Sequence, residues 1–375
     1  MTKLKIGIDA RCLEWRRGGV ARIIINILKY WSKSVDHKFI LYFQNYIPDD
    51  KFLRHPNFQL KLITGSKLIR KYRILAEQIL MPFQLKRDNL DIFFATLYSS
   101  PLMYRSSKIV VAAWDISYTT HPKHYSFFHH LSLSIFSKKS CKIADGVITA
   151  STFDAQQINK FYEVAKEKIL VTYLAPDKRF SKNIDKNEII RVIKKYNLPS
   201  KFFLSMGVIQ NRRNIDVIIN SFKKIRSEFP DYNFVLIGRN YTHPFINLDN
   251  MLEDLLIEKR AIYIPWADDE DLPALYRAAE FYICTSTVDG ETIMLKESML
   301  SGTPVVTSPL LLDAIGGNGL IINDPENMHD TIKTLRLAMS KKYDRKKLIK
   351  DGIIWCRKIT WKSLAKNILD FLESR

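Results

Sequence analysis

The amino-acid sequence predicts an α/β protein made of two consecutive doubly wound units with a cleft between them. Three observations lead there. Short apolar runs alternate with longer segments of helical periodicity. Glycine-containing loops follow several of the runs, as they do where a parallel strand turns into its crossover helix. A polar, Lys-rich stretch at 176–199 interrupts the alternation, which then restarts, so it reads as an interdomain linker.

In chain order, 4–8 (Leu-Lys-Ile-Gly-Ile) reads as a short buried strand. The loop Arg17-Gly18-Gly19 and a helix over 20–31 follow it. Further apolar runs predict strands at 38–43, 58–63, 92–95, 109–113, 146–149 and 169–173. After the interruption come a strand at 202–206, a helix at 214–229 and a strand at 233–237 ending at Gly238. Strands at 261–264 and 281–284 bracket a helix at 269–278. A helix at 296–301, strands at 304–307 and 319–322 and a helix at 327–339 complete the pattern. The expected domains are 1–178 and 179–355, with a C-terminal helix in 356–375 packing back on the first. No repeat with a period of 20 to 50 residues interrupts this reading.

Composition narrows the function classes. The chain has 375 residues, 46% hydrophobic and 26% charged, which suits a globular protein and excludes long disorder or a fibrous repeat. No uninterrupted apolar run is long enough for a spanning helix. The start, Met-Thr-Lys-Leu-Lys-Ile-Gly-Ile-Asp-Ala-Arg, lacks the apolar stretch of a signal peptide. Cys12, Cys141, Cys284 and Cys356 are scattered, which points to a reducing cytoplasm. The net charge is +19, and residues 1–180 hold 29 basic against 14 acidic residues, or +15. Such a half attracts polyanions or serves as a solubilising surface. No nucleic-acid module accompanies the charge, so nucleic acid is not an expected partner.

Two segments carry chemistry. Gly207-Val208-Ile209-Gln210-Asn211-Arg212-Arg213-Asn214 lies at a strand's end and opens a helix. Two guanidinium groups beside a helix N-terminus suit an anionic phosphate; the plainer alternative is a solvated loop. The second segment runs from Ser286 through Asp289, Gly290 and Glu297 to Val306, beyond another strand's end. Gly290 permits a tight turn, and Asp289 and Glu297 could both face one cleft and accept from sugar or ribose hydroxyls. The alternative is a capped surface helix. His121, His124, His129 and His130 fit no zinc spacing, so no metal is expected. The aromatic run 125–136 beside Lys138, Lys139 and Lys142 reads as a core-facing helix, with a membrane-surface helix as the alternative.

The run Pro-Trp-Ala-Asp-Asp-Glu-Asp-Leu at 265–272, continuing through Asp-Gly-Glu-Thr-Ile-Met-Leu-Lys-Glu at 289–297, closely resembles the C-terminal signature of group 1 (family 4) glycosyltransferases. The resemblance extends to Ile-Gly-Ile-Asp-Ala-Arg with Gly-Gly-Val-Ala-Arg at the start and Trp-Asp-Ile-Ser-Tyr-Thr-Thr-His-Pro midway. It also takes in Leu-Ala-Pro-Asp-Lys-Arg-Phe and the closing Asp-Ala-Ile-Gly-Gly-Asn-Gly. It implies retaining enzymes of GT-B architecture, two Rossmann-like domains facing across a cleft. By the same resemblance, Arg212 and Arg213 match the pair that binds the donor diphosphate. Asp289 and Glu297 match the paired carboxylates toward the donor sugar and the ribose. The amides of Thr292, Ile293 and Met294 would approach the phosphates or sugar. Gly19, Gly207 and Gly290 would line the donor, and Asp313 would stand near the nucleotide end.

The family's usual His-Asp pair stands here as Trp114-Asp115, which makes Asp115 a catalytic candidate and removes a proton acceptor. Asp289 replaces a longer Glu, Glu291 replaces Phe, Thr292 replaces Gly and Met294 replaces Pro. The donor loop is therefore bulkier and more acidic. The implied function is transfer of a hexose from a nucleotide diphosphate sugar, of UDP or GDP type, to a saccharide or lipid-linked saccharide in cell-surface polysaccharide synthesis. No cofactor other than that donor substrate is implied. The expected location is cytoplasmic, with an anionic membrane surface as a further candidate partner. The alternative is a GT-B-fold protein that binds without turnover.

Overall fold

The computed structural model describes residues 3–15, 18–34 and 36–375, with only the backbone of Ser34, Phe128 and His129. Arg17 of the expected glycine loop lies outside the described residues. The chain divides into two compact units. One holds Met1–Thr120, Phe127–Leu174 and Thr360–Arg375, the other His121–Ser126 and Ala175–Ile359.

The first unit is built on seven strands: β1 Lys5–Asp9, β2 Lys38–Phe43, β3 Phe58–Leu62, β4 Ile92–Ala95, β5 Lys108–Ala112, β6 Gly146–Thr149 and β7 Ile169–Val171. They pair in parallel in the order β3-β2-β1-β4-β5-β6-β7. Strands covered on both faces must be apolar almost throughout, which is why Ile6, Ile8, Phe93, Phe94, Val110 and Val111 are all buried. The helix Gly19–Ser34 turns Ile23, Ile24, Ile27, Leu28 and Trp31 inward at helical spacing. Trp31 stacks on Phe39 with centroids 5.2 Å apart, and its indole N–H donates to the Ala365 carbonyl at 2.9 Å. Ala365 belongs to the last helix, Trp361–Glu373, which Thr360 and Ser363 start with a reciprocal capping box.

The second unit holds β8 Phe202–Met206, β9 Asn233–Ile237, β10 Ala261–Ile264, β11 Phe281–Cys284, β12 Val305–Thr307 and β13 Leu320–Ile321. All pair in parallel in the order β10-β9-β8-β11-β12-β13. Phe203 on β8 lies between Phe234 and Phe281 of its neighbours, with centroids 4.7 and 5.1 Å away. In both sheets the strand order reverses beside the first strand of the unit. There the loops leaving adjacent strands diverge and open a crevice at their C-terminal ends. The two Rossmann-like α/β units are those the alternation predicted.

The stretch read as a linker is a correction. Residues Lys186–Lys195 form a helix whose N-terminus is capped by Asp185, its carboxylate accepting from the Asn187 amide at 2.9 Å. Ile189, Val192, Ile193 and Tyr196 recur at helical spacing and pack on the second core. Surrounding lysines masked that pattern. Arg191 and Lys195 pair with the buried Asp271 at 2.5 and 2.6 Å. The chain passes between the units at Thr120–His121, Ser126–Phe127, Leu174–Ala175 and Ile359–Thr360.

The helix read at 296–301 starts earlier, at Ile293. The helix Phe127–Ile143 buries Leu133, Ser137, Ser140 and Cys141, while Phe127, Leu131 and Ile135 point outward. Its small polar residues face the core and much of its apolar face does not, contrary to the core-facing reading. No helix among the described residues is long and apolar enough to cross a membrane.

Candidate functional site

The loops leaving β8 and β11 meet at the reversal point of the second sheet. Gly207 follows β8 with φ +123°, and its amide donates to the Ile237 carbonyl at 2.9 Å. A Cβ there would stand 2.5 Å from Arg213 Nη1 and 2.7 Å from Met294 Sδ. Gly238, after β9, has φ +148°, and a Cβ on it would lie 1.8 Å from the Gly207 carbonyl oxygen. Both positions require glycine, and the close approach lets Arg213 and Met294 close over the strand end.

The turn Asn211–Arg213 then leads through left-handed Asn214 (φ 46°) into the helix Ile215–Ile225. Several bonds lace this turn to the segment after β11. The Asn214 side-chain amide donates to the Thr285 carbonyl at 3.0 Å, and Thr285 Oγ1 donates to the Arg213 carbonyl at 2.7 Å. The Thr287 amide donates to the Arg212 carbonyl at 2.9 Å. Arginine backbone and carboxylate loop are thus fixed to each other before any ligand is considered.

Their side chains converge on one carboxylate. Arg212 Nη2 and Arg213 Nη2 stand 3.3 Å from Asp289 Oδ1 and Oδ2 respectively, with all three side chains at least 85% buried. Arg212 also donates to the Val288 carbonyl at 3.2 Å and to Gln210 Oε1 at 3.0 Å. Ser286 and Thr292 hydroxyls donate to Asp289 Oδ2 at 2.9 and 3.2 Å. Burial works to raise the Asp289 pKa, but Arg212, Arg213 and these two hydroxyls overcome it and hold the carboxyl below the usual carboxylate range. Two cations sharing one anion leave a local positive excess.

Thr292 sits at the N-cap of the helix Ile293–Leu300, yet its side chain serves Asp289 and gives the helix no cap. The first turn, with Ile293 and Met294, therefore presents amide hydrogens without a side-chain acceptor from its cap residue. Glu297 is buried one turn further on. Its charge is felt by Arg179, which pairs with Asp269 at 2.8 Å. Gly290 is buried between Asp289 and this helix. Asp313 lies exposed after the turn Pro309–Leu311, where its carbonyl accepts from the Gly316 amide.

Gly19 and Asp115 belong to the first unit. Gly19 begins the helix Gly19–Ser34, after Gly18 at φ +112°. Asp115 Oδ1 accepts from the Ser117 amide and hydroxyl at 2.9 and 2.5 Å. Trp114 is a core fixture: it is buried, and its indole N–H donates to the Thr96 carbonyl at 3.0 Å. Of the histidines, His130 Nδ1 bonds the Tyr118 carbonyl at 2.6 Å, and the His121 and His124 rings lie 5.8 Å apart in the second unit.

Sequence reasoning missed two arrangements. Lys296 and Glu291 form an ion pair with neither side chain exposed, bridging the loop after β11 to the helix Ile293–Leu300. Burial draws the Lys296 ammonium down to about 7, and the Cys356 thiol acts weakly against that shift. Opposite charges set in the apolar run Ile293-Met294-Leu295 were the available signal. Beyond the ends of β9 and β10, the Arg239 guanidinium lies 5.2 Å from the Trp266 ring, which is 55% exposed. That plate can stack a planar ring.

Two outcomes follow from these contacts. Because the folded-state pKa of Asp289 is depressed, its stabilisation is present above the unfolded value of about 4 and is lost as pH falls through the folded value. The stability deficit of Asp289→Asn in urea melts should therefore be full at neutral pH and shrink below about pH 4. Lys296→Met strands a buried carboxylate and should cost about 3–5 kcal/mol, whereas Glu291→Leu with Lys296→Met should recover most of it. Equal stability of wild type and Lys296→Met would contradict the pairing.

Comparison with known proteins fits this geometry. Residues 186–355 match the family model described as glycosyl transferases group 1. The chain is similar to the serotype-specific mannosyltransferase WbdA of Escherichia coli, 24% identical over 227 residues, 59% of this chain and 28% of that protein. It thus spans little more than a quarter of that relative's length. It is also similar to the O-antigen chain mannosyltransferase B of Escherichia coli, 24% identical over 329 residues, 86% of this chain and 84% of that protein. The solved structure of Anabaena HepE in complex with UDP superposes with a TM-score of 0.72 at 15% identity, covering 100% of both chains, a likeness of fold. The stretch that matches the family model lies within the second unit.

Proposed function

We propose that the chain is a retaining family 4 glycosyltransferase that moves a hexose from a nucleotide diphosphate sugar to a saccharide or lipid-linked saccharide in cell-surface polysaccharide synthesis. The observation that carries this is the pair Arg212 and Arg213, held at the mouth of β8 and β11 around Asp289. As the bond from the anomeric carbon to the leaving phosphate breaks, negative charge grows on the diphosphate. Guanidinium groups and helix amides already fixed in place stabilise that charge without reorganising. Asp289, released from its arginines by the incoming phosphates, accepts from hydroxyls of the donor sugar. Glu297 does the same for the ribose, and the Arg239–Trp266 plate stacks the base.

The relatives' names make mannose the first sugar to try, and the UDP complex of HepE makes uridine the first base. The expected place of action is the cytoplasmic face of the membrane, where lipid-linked acceptors are presented. A second reading, binding without turnover, is favoured by one observation. The Trp114 N–H is committed to Thr96, so it offers the reacting sugar no donor in place of the family His.

Arg212→Ala with Arg213→Ala should lower transfer from GDP-mannose or UDP-glucose at least about 100-fold, with the circular dichroism spectrum unchanged. Unchanged transfer would remove the mechanism. Nucleotide binding by the wild type, with none of these donors consumed, would favour the second reading.

A further inference from the structure

The first sheet reverses its order between β1 and β4, so the loops leaving these strands border its crevice, with the loop leaving β5 beside them. Tyr98, on the loop after β4, has φ +68°. Among the described residues it is the aromatic one with left-handed backbone. The other residues at positive φ, glycine apart, are Asn, Glu or Lys, and Asn89, Glu163 and Lys341 end helices, where that conformation is usual. A bulky side chain takes it only where the surroundings impose it, and such positions gather at functional sites.

Here the surroundings impose it residue by residue. The Thr96 hydroxyl donates to the Asp9 carbonyl at 2.6 Å, and Arg73 Nη1 donates to the Leu97 carbonyl at 3.2 Å. The Tyr98 amide donates to the carbonyl of Ala112, the last residue of β5, at 3.1 Å. The Ser99 hydroxyl donates to Glu77 Oε1 at 2.7 Å, and the Ser100 amide to the Ser140 hydroxyl at 2.9 Å. Glu77 is itself fixed by the buried Arg11, which also pairs with Asp9 at 2.7 Å. The transfer proposed above makes no use of this buried Asp9–Arg11–Glu77 cluster; what it holds in place is the Tyr98 loop.

The loop presents a phenol beside a carboxylate. The Tyr98 hydroxyl stands 3.5 Å from Asp115 Oδ2, while Asp115 Oδ1 is taken by the Ser117 amide and hydroxyl. The Tyr98 ring meets the buried Tyr118 edge to face, with centroids 5.9 Å apart, which fixes its direction. Tyr98 and Asp115 are both partly exposed. A well-formed O–H···O bond is about 2.8 Å long, so the phenol and Oδ2 meet loosely. A third hydroxyl that accepts from Tyr98 and donates to Oδ2 makes two short bonds in place of one long one, the second of them charge-assisted. The Trp114 indole cannot act in this way, because Thr96 holds it. We propose that Tyr98 and Asp115 Oδ2 together hold one hydroxyl of a saccharide substrate, Tyr98 supplying the donor that Trp114 withholds. The choice of a saccharide rests on the proposed glycosyl transfer, but the site is tested by binding, so a failure of transfer is distinguishable from a failure of the site.

Tyr98→Phe keeps the ring and its packing and removes only the hydroxyl, so calorimetric affinity for GDP and UDP should stay within about twofold of the wild type. If the hydroxyl belongs to the transferred sugar, the variant should bind GDP-mannose or UDP-glucose roughly three- to tenfold more weakly. If it belongs to the acceptor, the same loss should appear for methyl α-mannoside, followed by saturation-transfer NMR. Asp115→Asn should weaken the same ligand about tenfold or more. The double variant should lose less than the product of the two single losses, because both groups hold one hydroxyl. Unchanged affinity of Tyr98→Phe for all three saccharide ligands would overturn the proposal, as would a wild type that binds none of them. Loss of GDP and UDP affinity alongside that of the saccharides would give Tyr98 a merely structural role and overturn it too. A wild type that binds saccharide through Tyr98 yet transfers no sugar would remove the proposed function and support this site.

Discussion

Two arginines sharing one buried carboxylate are the interaction on which the second unit's site depends. Arg212 and Arg213 would repel each other if the space between them held no anion, and Asp289 occupies it at 3.3 Å from each. The same contacts hold Asp289 ionised against its burial. The site is preorganised for negative charge, because it is already built around one. In the proposed reaction an incoming diphosphate would exchange one set of oxygen acceptors for another while the guanidinium groups stay put, and the carboxylate so released would become available to the sugar.

Backbone geometry explains why the pair can be held there. β8 and β11 are neighbours only because the sheet order reverses beside β8, so the loops leaving them start side by side and then diverge. Gly207 and Gly238 allow the strand ends to touch, and Asn214 and Thr285 stitch the loops together. Thr292 completes the arrangement by leaving its helix uncapped to serve Asp289. The buried Glu291–Lys296 pair anchors the same loop from beneath. A buried ion pair gives little net stability, so its effect lies in fixing one loop conformation.

Much of this was legible in the amino-acid order. Buried parallel strands must be apolar on both faces, so β2, β4, β6, β8, β9, β10 and β11 lie where the apolar runs stand. The arginine pair and Asp289 announced themselves through their place at strand ends. The helix Lys186–Lys195 was hidden because Lys, Arg, Asn and Glu fill six of its ten positions around the apolar residues that set its period. The Glu291–Lys296 pair was hidden because its partners are five residues apart, across a loop-to-helix junction that no helical spacing rule describes. Trp114 stands where the resembled family has its His, and its indole serves packing and the Thr96 carbonyl.

The central claim is that the second phosphate of a nucleotide is received by Arg212 and Arg213. Calorimetric titration of UDP against UMP, and of GDP against GMP, measures it directly. Charge-assisted hydrogen bonds of this kind predict that the diphosphate of the cognate base binds roughly tenfold or more tightly than its monophosphate. That advantage should vanish when both arginines are alanine. Equal affinity for monophosphate and diphosphate in the wild-type protein would contradict the account.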